Sequence, residues 1–127
     1  MPDPRRILIV DDADEARSIL AIALGTIANI KVNVFASAED ALAALSDGVP
    51  DILVTDYRMG GMNGLELLAA LRQRGLAPRC GTVVISGETD PDLRGRSLAA
   101  GASAFFAKPF SAGEVRKTVI SLLESSP

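Results

Sequence analysis

Five polar side chains stand directly after apolar runs in this chain: Asp11 and Asp12 after ILIV, Asp56 after ILVT, Ser86 after TVVI and Lys108 after AFFA. Three acids, a hydroxyl and an ammonium together suit phosphate or metal chemistry. The adjacent carboxylates of Asp11 and Asp12 repel unless a cation or a raised pKa relieves them, and a divalent ion is the natural relief. The chain has no His and a single Cys, so the ligands would be oxygens and the ion a hard one. Mg2+ typically takes one or two carboxylates together with waters and phosphate oxygens, and Mn2+ accepts the same donors. The competing reading of Asp12 is a helix N-cap.

Asp56 is followed by Tyr57, Arg58, Met59, Gly60, Gly61, Met62, Asn63 and Gly64, a loop glycine-rich enough to bring backbone close to a ligand. Its carboxylate could be an ion ligand, a nucleophile as in aspartyl-phosphate chemistry, or both; alternatively it forms a turn. Pro109 restricts Lys108 to extended geometry and aims a cation that can hold a phosphate oxygen, although a single lysine at a strand end is usually just solvated. Ser86 could equally satisfy a nearby backbone group. Each residue is ambiguous alone, but all share one structural position.

That position is a strand end. Short Val- and Ile-rich runs read as strands buried on both faces of a parallel sheet, whose ligands lie beyond the strands' carboxyl ends. Between them, Ala16, Ile19, Leu20, Ala23, Leu24 and Ile27 follow the helical repeat of one buried face. Residues 31–35 alternate Val32 and Val34 with polar neighbours as an edge strand does. Ser37 reads as the N-cap of a second helix carrying Ala41, Leu42, Ala44 and Leu45, which stops at the turn from Asp47 to Pro50. A third strand spans 51–56, and a third helix spans 63–74 with Leu65, Leu68 and Leu71 inward. A loop over 75–81 leads to a fourth strand over 82–86.

The fourth helix, over 91–100, is weakened by Gly95, which costs about 1 kcal/mol against Ala. Gly101 serves as its C-cap, residues 102–107 form a fifth strand, and Val115, Val119, Leu122 and Leu123 mark a last amphipathic helix. The pattern predicts an α/β fold, (βα)5, doubly wound, with a five-stranded parallel sheet joined by right-handed crossovers.

With 127 residues and 48% hydrophobic content, one domain over residues 1–127 is expected. The net charge of -3 gives no electrostatic reason to bind nucleic acid directly. No apolar stretch approaches the roughly 20 residues of a membrane span, and ILIV is too brief for a signal peptide core. Cys80 has no partner thiol in the chain and reads as structural or incidental, so a reducing cytoplasm is the expected location. The absence of His also means that a phosphohistidine would have to come from another protein.

The chain closely resembles the receiver domains of two-component response regulators from Arg5 to about Glu124. The resemblance is carried by Asp11 and Asp12, the block DYRMGGMNG from Asp56 to Gly64, Ser86 with Gly87, and GASAFFAKPF from Gly101 to Phe110. It implies a flavodoxin-like strand order 2-1-3-4-5 and a phosphoacceptor rather than an enzyme. By the same resemblance, Asp56 receives a phosphoryl group from a sensor histidine kinase or a histidine phosphotransfer protein. Mg2+ is held by Asp12, Asp56 and the Arg58 backbone carbonyl, with Asp11 acting largely through water. Lys108 contacts the phosphoryl oxygens, Ser86 swings toward them, and Phe105, three before Lys108, turns inward.

The implied output is a downstream protein target, or a dimer, engaged through helix four, strand five and helix five. The Lys108–Pro109 bond is expected to be cis. The family usually has Pro where this chain has Gly60, and commonly Asp at Asn63. Arg58, Gly60 and Glu88 flank the site as candidates for setting the phosphoryl lifetime, Arg58 and Glu88 by pairing over it. Two other classes compete: a receiver-like scaffold working without phosphorylation, and an aspartyl phosphohydrolase using Asp12 and Asp14, for which the short connections leave no cap.

Overall fold

Strands and helices alternate along the whole chain in the computed structural model, which describes residues 3–45, 48–87 and 90–125. The order is β1 (Arg5–Val10), α1 (Asp14–Gly25), β2 (Ile30–Phe35), α2 (Ala38–Ala44), β3 (Ile52–Asp56), α3 (Gly64–Gln73), β4 (Gly81–Ser86), α4 (Leu93–Ala99), β5 (Ala104–Ala107) and α5 (Ala112–Glu124). All strand pairings are parallel and the sheet order is β2-β1-β3-β4-β5, the flavodoxin-like arrangement expected.

The three inner strands are apolar at successive residues because both of their faces are covered. Ile7, Ile9, Val54 and Ile85 pack toward Leu20 and Leu24 of α1 and Val115 and Val119 of α5. Leu8, Val10 and Leu53, one residue out of phase, pack toward Ala41 and Leu42 of α2 and Leu67 and Leu71 of α3. Each such Leu or Ile contributes about 1.5–3 kcal/mol by leaving water. Burial of both faces thereby fixes the strand register that aligns the functional ends.

Local signals set the helix starts. Ser37 Oγ accepts from the Asp40 amide at 3.0 Å. Asn63 and Glu66 form a capping box, with the Glu66 amide 2.8 Å from Asn63 Oδ1 and the Asn63 amide 2.9 Å from Glu66 Oε1, worth about 1 kcal/mol. Gly64 then opens α3 hard against β3: a Cβ there would stand 2.5 Å from the Asp56 carbonyl oxygen. Only glycine permits this approach, which holds the strand end that carries Asp56.

Several sequence expectations are corrected. In α3 the buried stripe is Gly64, Leu67, Leu68 and Leu71, with Leu65 only partly covered, because the stripe counts in threes and fours from Gly64. Ile19 remains 42% exposed, at the margin of the α1 face centred on Leu20 and Leu24, and Val34 is 44% exposed on the edge strand. The fourth helix is shorter than 91–100, and the fifth strand begins at Ala104 rather than 102. The Ala102 amide still bonds to Ser97 O at 3.0 Å, so the chain is finishing α4 where a strand was expected. Helix α2 ends at Ala44; Asp47, assigned to the turn after it, lies outside the described residues.

Candidate functional site

Strands β1 and β3 are neighbours with Val10 opposite Thr55, so the residues that follow them, Asp11 and Asp12 on one side and Asp56 on the other, meet at one edge. One carboxylate oxygen from each of the three lies within 4.8 Å of the others. Asp11 and Asp56 are buried and Asp12 is exposed. Lys108 reaches in from the end of β5, where its amide bonds to Ser86 O at 2.8 Å. Its Nζ stands 3.2 Å from Asp11 Oδ2 and 3.4 Å from Asp56 Oδ2.

Asp12 does not cap α1. The N-cap is Ala13, which has no side-chain cap bond, while Asp11 Oδ1 accepts from the Ala13 amide at 2.9 Å. Asp11 organises the turn, and Asp12 offers its carboxylate to the acidic cluster. Two buried carboxylates sharing one ammonium remain under-neutralised. Burial, reinforced by the charge of Asp11 and opposed by Lys108, pushes Asp56 up to about 6. Burial works against the Lys108 ammonium, but Asp56 and Asp11 outweigh it and raise its pKa above the ordinary value. Three oxygen donors with excess negative charge fit a hard divalent cation.

The other expected residues lie around this cluster. Ser86 is buried at the end of β4. Phe105 is half-buried on β5, opposite Val84. The Lys108–Pro109 peptide is cis. Arg58 is exposed with its guanidinium 5.9 Å from the centre of the Tyr57 ring. Glu88, and with it the suggested pairing to Arg58, lies outside the described residues. The Cys80 thiol accepts from Arg5 Nη2 at 2.9 Å, away from the acidic cluster.

Two contacts had no local sequence signal. Arg94 of α4 lies over the Phe105 ring, 5.4 Å from its centre. Glu39 of α2 binds the loop after Asp56 through the Met62 amide. Both join elements that only the fold brings together.

Gly60 takes φ +83°, a backbone that proline, held near −65°, cannot adopt. The residue therefore selects a path closed to proline. Gly60→Pro is expected to lower stability by about 1 kcal/mol or more and to change Mg2+ affinity or the dephosphorylation rate. Urea denaturation and ion titration check this; equal values in both proteins refute it.

A doubly wound parallel sheet of this order, with acids converging beyond β1 and β3 and a lysine entering from β5, defines a receiver fold. The chain belongs to the response regulator receiver domain family, whose profile matches residues 7–120. It is 33% identical over 108 residues to the DNA-binding transcriptional regulator NtrC of Salmonella typhimurium, covering 85% of this chain and 22% of that protein. It is 36% identical over 119 residues to the cyclic di-GMP phosphodiesterase response regulator RpfG of Xanthomonas campestris, covering 93% of this chain and 32% of that one. The chain thus spans about a third or less of these relatives. The structure of the chemotaxis response regulator CheY4 of Vibrio cholerae superposes with TM-score 0.81 at 26% identity, over 94% of this chain and 98% of that one.

Receiver domains are the phosphoacceptor modules of two-component signalling; they bind Mg2+ at an acidic pocket and are phosphorylated by sensor histidine kinases. No helix among the described residues is long and apolar enough to cross a membrane.

Proposed function

We propose that residues 1–127 act as one receiver domain in which Asp56 accepts the phosphoryl group of a partner's phosphohistidine, on a sensor histidine kinase or a histidine phosphotransfer protein. The observation that carries this reading is the shared ammonium: Lys108 Nζ bridges Asp11 and Asp56 at 3.2 and 3.4 Å. Asp11, Asp12, Asp56 and the Arg58 carbonyl would hold Mg2+, or Mn2+ in its place. When bound, the ion offsets the repulsion between a carboxylate and an anionic phosphoryl group.

An Asp56 carboxylate oxygen attacks phosphorus, the P–N bond to the partner's imidazole breaks, and that imidazole leaves with a proton. Lys108 pairs with the transferred oxygens, and the Ser86 hydroxyl turns to donate to them. Phe105 moves inward as Ser86 leaves its place, and the surface of α4, β5 and α5 changes for a downstream protein or a second copy. Arg58, Gly60 and Glu88 tune how long the modification lasts. The domain works in the cytoplasm, without direct contact to nucleic acid or membrane, and turns over only its own phosphoryl group.

Incubation with acetyl phosphate and Mg2+ is expected to add one phosphoryl mass to the chain, and Asp56→Asn to add none. Labelling that persists in Asp56→Asn, or multiple-turnover release of phosphate from phosphomonoesters, would sink the assignment.

A further inference from the structure

The seven residues between β3 and α3 (57–63) include the Arg58 carbonyl, and what holds them in place matters to the acceptor site. The ends are secured by backbone: the Tyr57 amide bonds to Ile85 O at 2.9 Å and the Gly64 amide to Tyr57 O at 2.8 Å. Met59 is buried in the core cluster that contains Leu42 and Leu67. Between Met59 and Asn63 the chain passes through Gly60, at φ +83°, and Gly61. Neither has a side chain to anchor it, and two successive glycines leave backbone entropy to be removed.

Glu39 acts on this stretch from another element. It sits in the first turn of α2, a helix fixed by the Ser37 cap and by burial of Ala38, Ala41 and Leu42. Its Oε2 accepts from the Met62 amide at 3.0 Å. The Gly61 backbone lies against the same atom so closely that a Cβ would stand 2.6 Å from Glu39 Oε2. The bond from Met62 also holds the Glu39 carboxyl below its ordinary pKa, so the acceptor is the charged form, which makes the stronger bond.

We propose that Glu39 is a positioning residue of the acceptor site: its carboxylate clamps the backbone at Gly61 and Met62 and so steadies the Arg58 carbonyl for a divalent ion. The clamp constrains a stretch whose two successive glycines have no side chains of their own to anchor it. This inference rests on the Arg58 carbonyl being an ion ligand, as proposed above.

The test uses the full chain with Glu39→Ala, Glu39→Gln and Gly61→Ala. The readouts are Mg2+ affinity by titration calorimetry and amide exchange at Met62 by NMR. Glu39→Ala is expected to speed Met62 exchange and weaken Mg2+ binding by about threefold to tenfold, the net worth of one hydrogen bond made at an exposed carboxylate. Glu39→Gln keeps an acceptor oxygen without its charge and is expected to fall between the parent and Glu39→Ala in both readouts. Gly61→Ala, which displaces the carboxylate while leaving Glu39 in the chain, is expected to mimic Glu39→Ala.

Unchanged exchange and affinity in Glu39→Ala overturn the clamp while leaving the acceptor reading intact. A Gln variant as weak as the Ala variant overturns it in favour of a long-range charge effect. Parent-like behaviour of Gly61→Ala also overturns it. If the parent chain itself binds no Mg2+, the ion-site reading fails and the clamp with it.

Discussion

Lys108→Ala is expected to destabilise the protein by about 2–4 kcal/mol in the absence of divalent ions, and by much less when Mg2+ is present. The ammonium is the neutralising group shared by two buried carboxylates, at 3.2 Å from Asp11 and 3.4 Å from Asp56. Removing it leaves both acids buried beside each other, with the burial and the repulsion that already raise Asp56 unopposed. The lysine side chain is 26% exposed, so water reaches the pair and the loss falls toward the lower part of the range for a fully buried ion pair. A divalent ion held there as proposed would restore positive charge at the same oxygens. Urea denaturation of both proteins with and without Mg2+ measures the difference; an equal loss in the two conditions would assign Lys108 a packing role instead.

Asp56→Asn is expected to be more stable than the parent at neutral pH without metal, even though it removes the proposed phosphoacceptor. The Asp56 carboxyl, 6% exposed, titrates at about 6 in the folded protein against an ordinary 3.8. Its folded state therefore binds a proton more tightly than the unfolded chain does. The stabilisation from this group is complete below the ordinary carboxylate pKa, declines as pH rises, and is lost once pH passes about 6. A shift of about two units corresponds to about 3 kcal/mol.

Asparagine is close in shape and uncharged, so the variant escapes this decline. Its advantage should reach up to about 3 kcal/mol near pH 7.5, vanish near pH 4, and shrink when Mg2+ is added to the parent. Melting curves across that pH range with and without the ion provide the check. An advantage independent of pH would mean that the substitution acts through packing.

Much of the fold and nearly all of the acidic cluster were legible in the sequence, because both depend on short-range pattern. Strands buried on two faces must be apolar without alternation, so ILIV, ILVT and TVVI announced themselves, and parallel topology forces their carboxyl ends to one edge. The errors lie where two local signals compete or where the partner is remote. Ala102 and Ser103 suited a strand, but the Ala102 amide was taken by Ser97 O. Leu65 and Leu67 were interchangeable on composition until the position of Gly64 phased the helix.

Asp12 fitted an N-cap by type, yet the turn after β1 was closed by Asp11 Oδ1 on the Ala13 amide. Glu39 was invisible as a site residue because its partner amide is 23 positions away in the sequence. Arg94 was invisible for the same reason, its contact being the face of an aromatic ring across α4 and β5.

The chain holds one tyrosine and no tryptophan, and that tyrosine is Tyr57, bonded through its amide to Ile85 O and covalently next to Asp56. Its ring also lies 5.9 Å from the Arg58 guanidinium carbon. Ultraviolet emission from the protein therefore comes almost wholly from a single phenol, one residue along the backbone from Asp56. A cation held in the acidic cluster, or an acyl phosphate formed on the neighbouring carboxylate, would change the electric field on the phenol. The tyrosine would then serve as an unlabelled optical gauge of occupancy, with only the weaker emission of four phenylalanines beside it.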